Sequence, residues 1–435
     1  MQIRVVKRAT ILVITLLLAL PLSGQKAVNS PYARFNLGIL ETRGSSRSAG
    51  MGGLSVVLRD NSSFSFTNPA SYSAADTNSF LFDFGMEYGL GQLSDGQIKR
   101  SSDDLNFHHL AIMFPITKGW GFGLGVVPVS NGYYNISQPI TEGHPLYDPI
   151  AGDLLITHRG EGSFTKAFAG TGFHIARGLS AGLNAGFLFG EIERFNEYAY
   201  VSDNNLFDSR MQEKLSLRGI GLEAGLQYLH ELNDDRFVII GASYRFQNSV
   251  ASDHSSMFVR FASGFAAPGV PYAYDTLSYS DIEGGEAILP QRFSGGVGFG
   301  IRNRLMAGVD FHYSDWTQAE IMGNPGSLAP KRGINAGLEY IPDRFALQGV
   351  FNRMEYRLGG RLTESYIAIG DEQVNEFGIT FGVGIPIRRS WSKANFYVDY
   401  SRRGATRNGL HIENLLTFGL SVNLYDYWFI QRRYD

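Results

Sequence analysis

The residues that most invite a chemical reading are the adjacent pair His108-His109, the glycine repeat at 119, 121, 123 and 125, and the nine histidines as partners for a nucleophile. Two imidazoles are the beginning of a metal site, but neighbours on a strand point to opposite faces, which separates this pair. Glycines cradle phosphate where a strand turns into a helix. Here Gly119-Trp120-Gly121-Phe122-Gly123-Leu124-Gly125 alternates glycine with large apolar residues instead, which is the period of a strand interior. No histidine stands beside a nucleophile in a recognisable motif. The absence of cysteine removes thiol nucleophiles, disulfides, Cys-zinc sites and iron–sulfur clusters. These features predict a protein that is not an enzyme and uses no metal or cofactor.

Thirty-eight Lys and Arg against 41 Asp and Glu give a formal charge of −3, which offers no surface for nucleic acid. Fifty-two glycines and a 13% aromatic content accompany only 18% charged residues, below the roughly 25% of soluble domains. The 44% hydrophobic content is too high for disorder. Arg4, Lys7 and Arg8, the apolar stretch Ile11 to Leu20, then Pro21, Ser23 and Gly24 form the order of a secretory signal. Residues 1–24 are expected to be that signal, and no later apolar run approaches the ~18 residues of a spanning helix. A chain that enters a bilayer without such a helix must close its strands into a barrel, the remaining way to satisfy its backbone hydrogen bonds.

Alternation supports that reading. Ala394, Phe396, Val398 and Tyr400 oppose Asn395, Tyr397 and Asp399, and Leu416, Phe418, Leu420, Val422 and Leu424 oppose Thr417, Gly419, Ser421 and Asn423. Apolar-out, polar-in strands of this length are those of an outer-membrane barrel. The same pattern predicts about fourteen antiparallel strands, at 79–89, 105–115, 119–130, 161–175, 179–192, 213–228, 237–246, 291–301, 305–316, 331–340, 345–356, 372–387, 391–402 and 411–424. Tight connections, among them 341–344, alternate with long ones such as 131–160 and 247–290, as short periplasmic turns alternate with outer loops. Trp120, Tyr228, Tyr244, Tyr313, Trp316, Tyr340, Trp391, Tyr400 and Trp428 are expected in the interfacial aromatic girdles. Residues 25–78 precede the barrel (79–435) and carry Phe35, Leu37, Met51, Leu54, Val57, Phe64 and Phe66. Fourteen strands enclose a lumen that wall side chains cannot fill, so this segment is expected to be a plug.

Asn68-Pro69-Ala70, preceded by Ala49-Gly50-Met51-Gly52-Gly53 and followed by the first strand, resembles the N-terminal hatch of the FadL-type family. Ile288-Leu289-Pro290 and Asp315-Trp316-Thr317 agree with it. That resemblance implies a fourteen-stranded outer-membrane barrel that admits long-chain fatty acids or other hydrophobic compounds passively and releases them sideways at a kink in strand three. It assigns Asn68, Pro69 and Ala70 to the hatch and places a lateral gate at Gly123, Gly125 and Pro128. The bland readings are a generic Asn-Pro turn and a proline marking a strand end. Phe258, Phe261, Phe265, Tyr272 and Tyr274 fall in a predicted outer loop, where an apolar cluster would capture a solute, cap the barrel or meet a protein partner. The expected partners are a hydrophobic small molecule or lipid and the surrounding outer-membrane lipids. Related barrels in this superfamily serve surface-protein secretion, so the alternative is an accessory or structural barrel of a secretion or assembly machine.

Overall fold

The protein is described by a computed structural model, which covers residues 30–41, 43–94, 99–201, 206–261, 273–321, 327–370, 372–387, 391–405 and 410–427. The expected export signal, Phe265, Tyr272 and Trp428 lie outside these residues. Fourteen antiparallel strands close into one barrel. They are β1 (Ser79–Ser94), β2 (Lys99–Thr117), β3 (Trp120–Asn131, continued by Tyr134–Ile140), β4 (Leu154–Ala176), β5 (Leu179–Tyr200), β6 (Asp208–Glu231) and β7 (Arg236–Arg245, continued by Asn248–Phe261). The others are β8 (Ala273–Leu289, continued by Arg292–Ile301), β9 (Leu305–Ser314), β10 (Lys331–Tyr340), β11 (Glu355–Ile369), β12 (Glu372–Pro386), β13 (Lys393–Arg403) and β14 (Ile412–Tyr427). Closure comes from β14 pairing with β1 along Ile412↔Ser94 to Tyr427↔Ser79.

Alternation sorts the two faces as the sequence predicts. Phe396, Val398 and Tyr400 are exposed on the outer wall, while Asn395, Tyr397 and Asp399 are buried inside. Leu183, Ile220, Leu222, Ile240, Val297 and Leu362 extend the outer apolar face around the barrel.

Three expectations are corrected. The eleventh strand runs over Glu355–Ile369 and not 345–356; the segment before it is a connection with a short helix, Val350–Arg353. Phe345, Leu347 and Phe351 mimic a strand but lie exposed. The inward charges Arg357 and Arg361, which make the true strand look like a loop, are buried against carboxylates.

Second, the segments read as long loops are mostly wall. Asn248–Phe261 pairs with β6 and with Ala273–Leu289, and polar runs such as Ser252-Asp253-His254-Ser255-Ser256 hide the alternation. Phe258 and Phe261 therefore stand on a strand, opposite Met211 and Asp208. That odd spacing puts them on opposite faces, and Phe261 is buried beneath Arg210. Tyr274 lies on β8, so the three described members of the predicted loop cluster stand on strands.

Third, His108 and His109 share a face. The β1–β2 register shifts between Gly85 and Met86, pairing His109 with Gly85 and Phe107 with Met86. His108 is the extra residue of a bulge, which turns both rings inward. Both are buried, with Nδ1 atoms 2.5 Å apart. His109 Nε2 lies 3.2 Å from Asp83 and His108 Nε2 3.1 Å from Glu87.

Candidate functional site

Residues 30–41 and 43–78 run through the lumen and touch the wall in three zones. In the half of the barrel bearing the longer connections, Tyr32, Phe35 and Leu37 form one apolar cluster with Phe164, Ile192, Leu215, Val250, Tyr366 and Val374. Tyr32 donates to the His411 carbonyl, and Tyr366 to that of Gly38 at 2.5 Å. Toward the opposite end, Met51, Leu54, Val57 and Leu58 pack on Ile239 and Met306. On the other side, Phe64 and Tyr72 pack on Ala111, Met113, Val127 and Phe168.

A charged zone lies between these clusters. Arg47 grips Glu339 with two bonds, Nε to Oε2 at 2.9 Å and Nη2 to Oε1 at 2.6 Å, and also donates to Asp60 (3.2 Å) and Ser63 (2.7 Å). Arg357 donates to the same Glu339 at 2.7 Å, and also to Glu355 and Asn395. Arg43 sits 3.6 Å from Glu87 and 3.5 Å from Asp399. Bidentate arginine–carboxylate geometry is the strong, directional form of such pairing. Asp60 is pulled down to about 2: burial pushes its carboxyl up, but Arg47, Lys393 and Arg344 together outweigh it. None of these charges was identified as a site residue from the sequence. For Glu355, Arg357 and Asp399 the available signal was an inward position on β11 or β13, on the face opposite Leu358, Leu362, Phe396 and Val398.

The plug backbone also docks directly on the wall. Gly52 N–H donates to Thr380 Oγ1 at 2.7 Å, and the Ser55 and Val56 N–H groups donate to Asp310 at 2.6 and 2.7 Å. Such close approach requires a wall without side chains, and two rows of cross-strand glycines supply it. Gly121, Gly172, Gly182 and Gly225 are direct partners across β3 to β6. Gly298, Gly308, Gly337 and Gly359 are partners across β8 to β11. A Cβ at Gly182 would overlap the Pro69 carbonyl, and one at Gly359 would lie 2.6 Å from the Met51 oxygen.

Asn68, Pro69 and Ala70 sit on the first row. Asn68 is wholly buried and caps the turn Pro69–Ala74, its Oδ1 accepting from the Ala70 N–H at 3.2 Å. Its amide donates to the carbonyls of Val56 (3.0 Å), Leu226 (3.1 Å) and Ala242 (3.3 Å), joining the plug to β6 and β7. Pro69, with φ fixed by its ring, opens the turn without wasting a donor.

Gly123 and Gly125 lie on the stretch of β3 that faces this turn. A Cβ at Gly123 would strike the Phe64 ring at 2.8 Å, and one at Gly125 the Leu110 oxygen at 2.5 Å. Beyond them the wall changes. β2 pairs with β3 only from Thr117↔Trp120 to Leu110↔Val126. Residues 99–109 of β2 continue on β1 alone, while β3 continues on β4. Pro128, which has no N–H to give a ladder, lies just past the last pair, beside a register shift against β4. On this free edge of β3 the plug substitutes for β2: Ile39 pairs with Asn131 and Leu40 with Ser130, and the Glu41 N–H donates to Val129 O at 2.9 Å.

A fourteen-stranded wall, a lumen filled by the N-terminal segment and a seam beside strand three belong to a sequence that matches one family model over residues 5–435. The chain belongs to the BamG family. Its fold is shared with solved transporter structures. The Pseudomonas putida toluene transporter TodX aligns at a TM-score of 0.57, with 14% identity, over 89% of this chain and 99% of that one. The Ralstonia pickettii toluene transporter TbuX gives 0.55 and 13% over 88% and 98%. A Pseudomonas aeruginosa FadL homologue gives 0.55 and 14% over 93% and 99%. At these identities the likeness of this BamG-family chain to FadL-type transporters is one of fold. Comparison with curated proteins finds no match.

Proposed function

We propose that this BamG-family barrel resides in the outer membrane and admits hydrophobic compounds, long-chain fatty acids among them, by passive diffusion, releasing them through the wall between β2 and β3. The observation that carries this reading is the substituted edge at the seam. Because Ile39–Leu40 holds the place of a wall strand, displacement of the plug segment uncovers both the seam and the apolar cluster of Val129, Phe164 and Ile192 on which Ile39 and Leu40 pack. Gly123, Gly125 and Pro128 are then the gate residues, and Asn68-Pro69-Ala70 the anchor that keeps the rest of the plug in place. The fold neighbours described as toluene transporters support the substrate class. Passive admission of this kind requires no catalytic group.

The absence of cysteine allows a clean test. Leu40→Cys with Ser130→Cys joins Cα partners of an antiparallel ladder, a spacing a disulfide spans. Uptake of a labelled long-chain fatty acid and of toluene into cells should stop on oxidation and return on reduction. Equal uptake in both states would refute the gate.

A second reading, an accessory barrel of a secretion or assembly machine, is favoured by one feature of the outer wall. A depression of about 690 Å³ is lined by Val238, Val297, Phe299, Val309, Leu338, Leu358 and Ile379. It lies over the glycine row that lets the plug touch the wall. A stoichiometric protein partner lost on filling this depression with Ala336→Phe would favour this reading.

A further inference from the structure

One inward row of side chains crosses five strands. Glu223, Arg245, Arg292, Ser314 and Lys331 are successive partners on β6, β7, β8, β9 and β10. Glu223 is held by Lys166 and Arg245, each at 2.9 Å. Arg292 and Lys331, on either side of Ser314, have no carboxylate within 4.0 Å among the described residues. Beside them His312 is 4% exposed, and its Nε2 has no hydrogen-bond partner among the described residues. Asp310, the nearest wall carboxylate in sequence, is occupied by the Ser55 and Val56 N–H groups.

On its other side Lys331, itself 8% exposed, lines a polar chamber of about 50 Å³ with Arg361, Arg403, Thr363, Ser365 and Ser401. Glu41 and Glu376 also line it, but both are already taken: Glu376 by Arg361 (2.9 Å) and Arg403 (2.7 Å), Glu41 by Arg43 (3.4 Å). Lys331 thus has cations and an imidazole along the wall and faces, across the chamber, only carboxylates that arginines already hold. A buried ammonium without a counter-charge is costly, and a space several times that of a single water accommodates one small polyatomic group.

We infer that this chamber is an oxyanion site, in which a carboxylate or phosphate group lies against Lys331, with the hydroxyls of Thr363, Ser365 and Ser401 as further donors. The volume admits the anionic group alone, so its source is either a free small anion or the head of an amphiphile whose chain lies outside the chamber. Ile39 and Leu40 border the same space, so an occupant touches the plug strand at the seam. The site goes beyond the uptake reading and stands whether or not apolar compounds cross the wall.

The test is the thermal unfolding midpoint of the full chain in detergent, titrated with inorganic phosphate and separately with acetate at constant ionic strength, before and after delipidation. Native mass spectrometry of the same samples reads bound amphiphile. The expected result is a saturable rise in the midpoint whose half-saturation concentration increases about tenfold or more in Lys331→Met, the loss of one charge-assisted hydrogen bond. Lys331→Arg should retain it, and Thr363→Val should weaken it if Lys331→Met does not fold. A response present in untreated protein identifies a free anion as the occupant. A response that emerges only after delipidation, with loss of an acidic amphiphile in the mass spectrum, identifies a lipid head in the same site. An unsaturable rise shared by wild type and Lys331→Met, or no response before or after delipidation, overturns the assignment.

Discussion

Replacing Arg47 by methionine tests whether the plug is held by the charged zone. The substitution keeps most of the side-chain length and removes four hydrogen bonds, two to Glu339 and one each to Asp60 and Ser63. Breaking a buried pair from one side generally costs 3–5 kcal/mol, because a charge is stranded. Here the stranding is partial: Glu339 keeps Arg357 at 2.7 Å, and Asp60 keeps the Ser62 N–H and hydroxyl at 2.7 and 2.8 Å. The expected loss is therefore near the lower bound, about 3 kcal/mol, or roughly a hundredfold in the undocked population. Three amides report it directly, since the N–H groups of Gly52, Ser55 and Val56 end on wall side chains. Their hydrogen exchange should accelerate by about two orders of magnitude while the β12–β13 ladder stays protected. Acceleration below about threefold, or an equal change in wall amides, would refute the view that Arg47 sets the docking energy locally.

Two further outcomes follow from neighbouring features. Gly182→Ala places a methyl group against the Pro69 backbone, an overpacking of about 1–3 kcal/mol; protease sensitivity of the plug should rise with no loss of barrel heat resistance, and unchanged sensitivity would show that the row does not constrain the turn. Asp60, held at about 2 against an ordinary 3.8, is a depressed carboxyl, so its contribution is complete above the unfolded value and is lost as pH falls from about 4 toward 2. The stability gap between wild type and Asp60→Asn should accordingly be about 2 kcal/mol near neutrality and close across that range in urea titrations. A gap independent of pH would sink this account.

Much of the wall was legible because lipid on one side and a polar lumen on the other impose a period of two, as Phe396, Val398 and Tyr400 against Asn395, Tyr397 and Asp399 show. The signal fades where both faces are polar, so Asn248–Phe261 and Ala273–Leu289 read as loop. It inverts at β11, where Arg357 and Arg361 are interior residues whose charges are neutralised by partners on other strands. The His108–His109 bulge is a register event with no local mark. Glycines at 121, 123 and 125 were legible as one face of a single strand. That Gly121 continues into Gly172, Gly182 and Gly225 depends on pairings between distant segments, which no single-strand pattern contains. The seam was approached through Pro128, but the plug strand on its edge is only two residues long, too short for any periodicity.

The closure of β14 on β1 has a consequence for how the molecule is made. The plug precedes β1 in the chain, yet its contacts extend to β6, β7, β10, β12 and β13. A barrel already zipped from Tyr427↔Ser79 to Ile412↔Ser94 would offer only its two ends as entrances for some fifty residues that must lie against glycine rows on opposite walls. Assembly is simpler on an open sheet, with the N-terminal segment laid across the nascent strands and the first and last strands joining around it. The two rows then act as a template for the order of events, and whatever inserts this protein must tolerate a loaded, unclosed sheet until the last hairpin arrives.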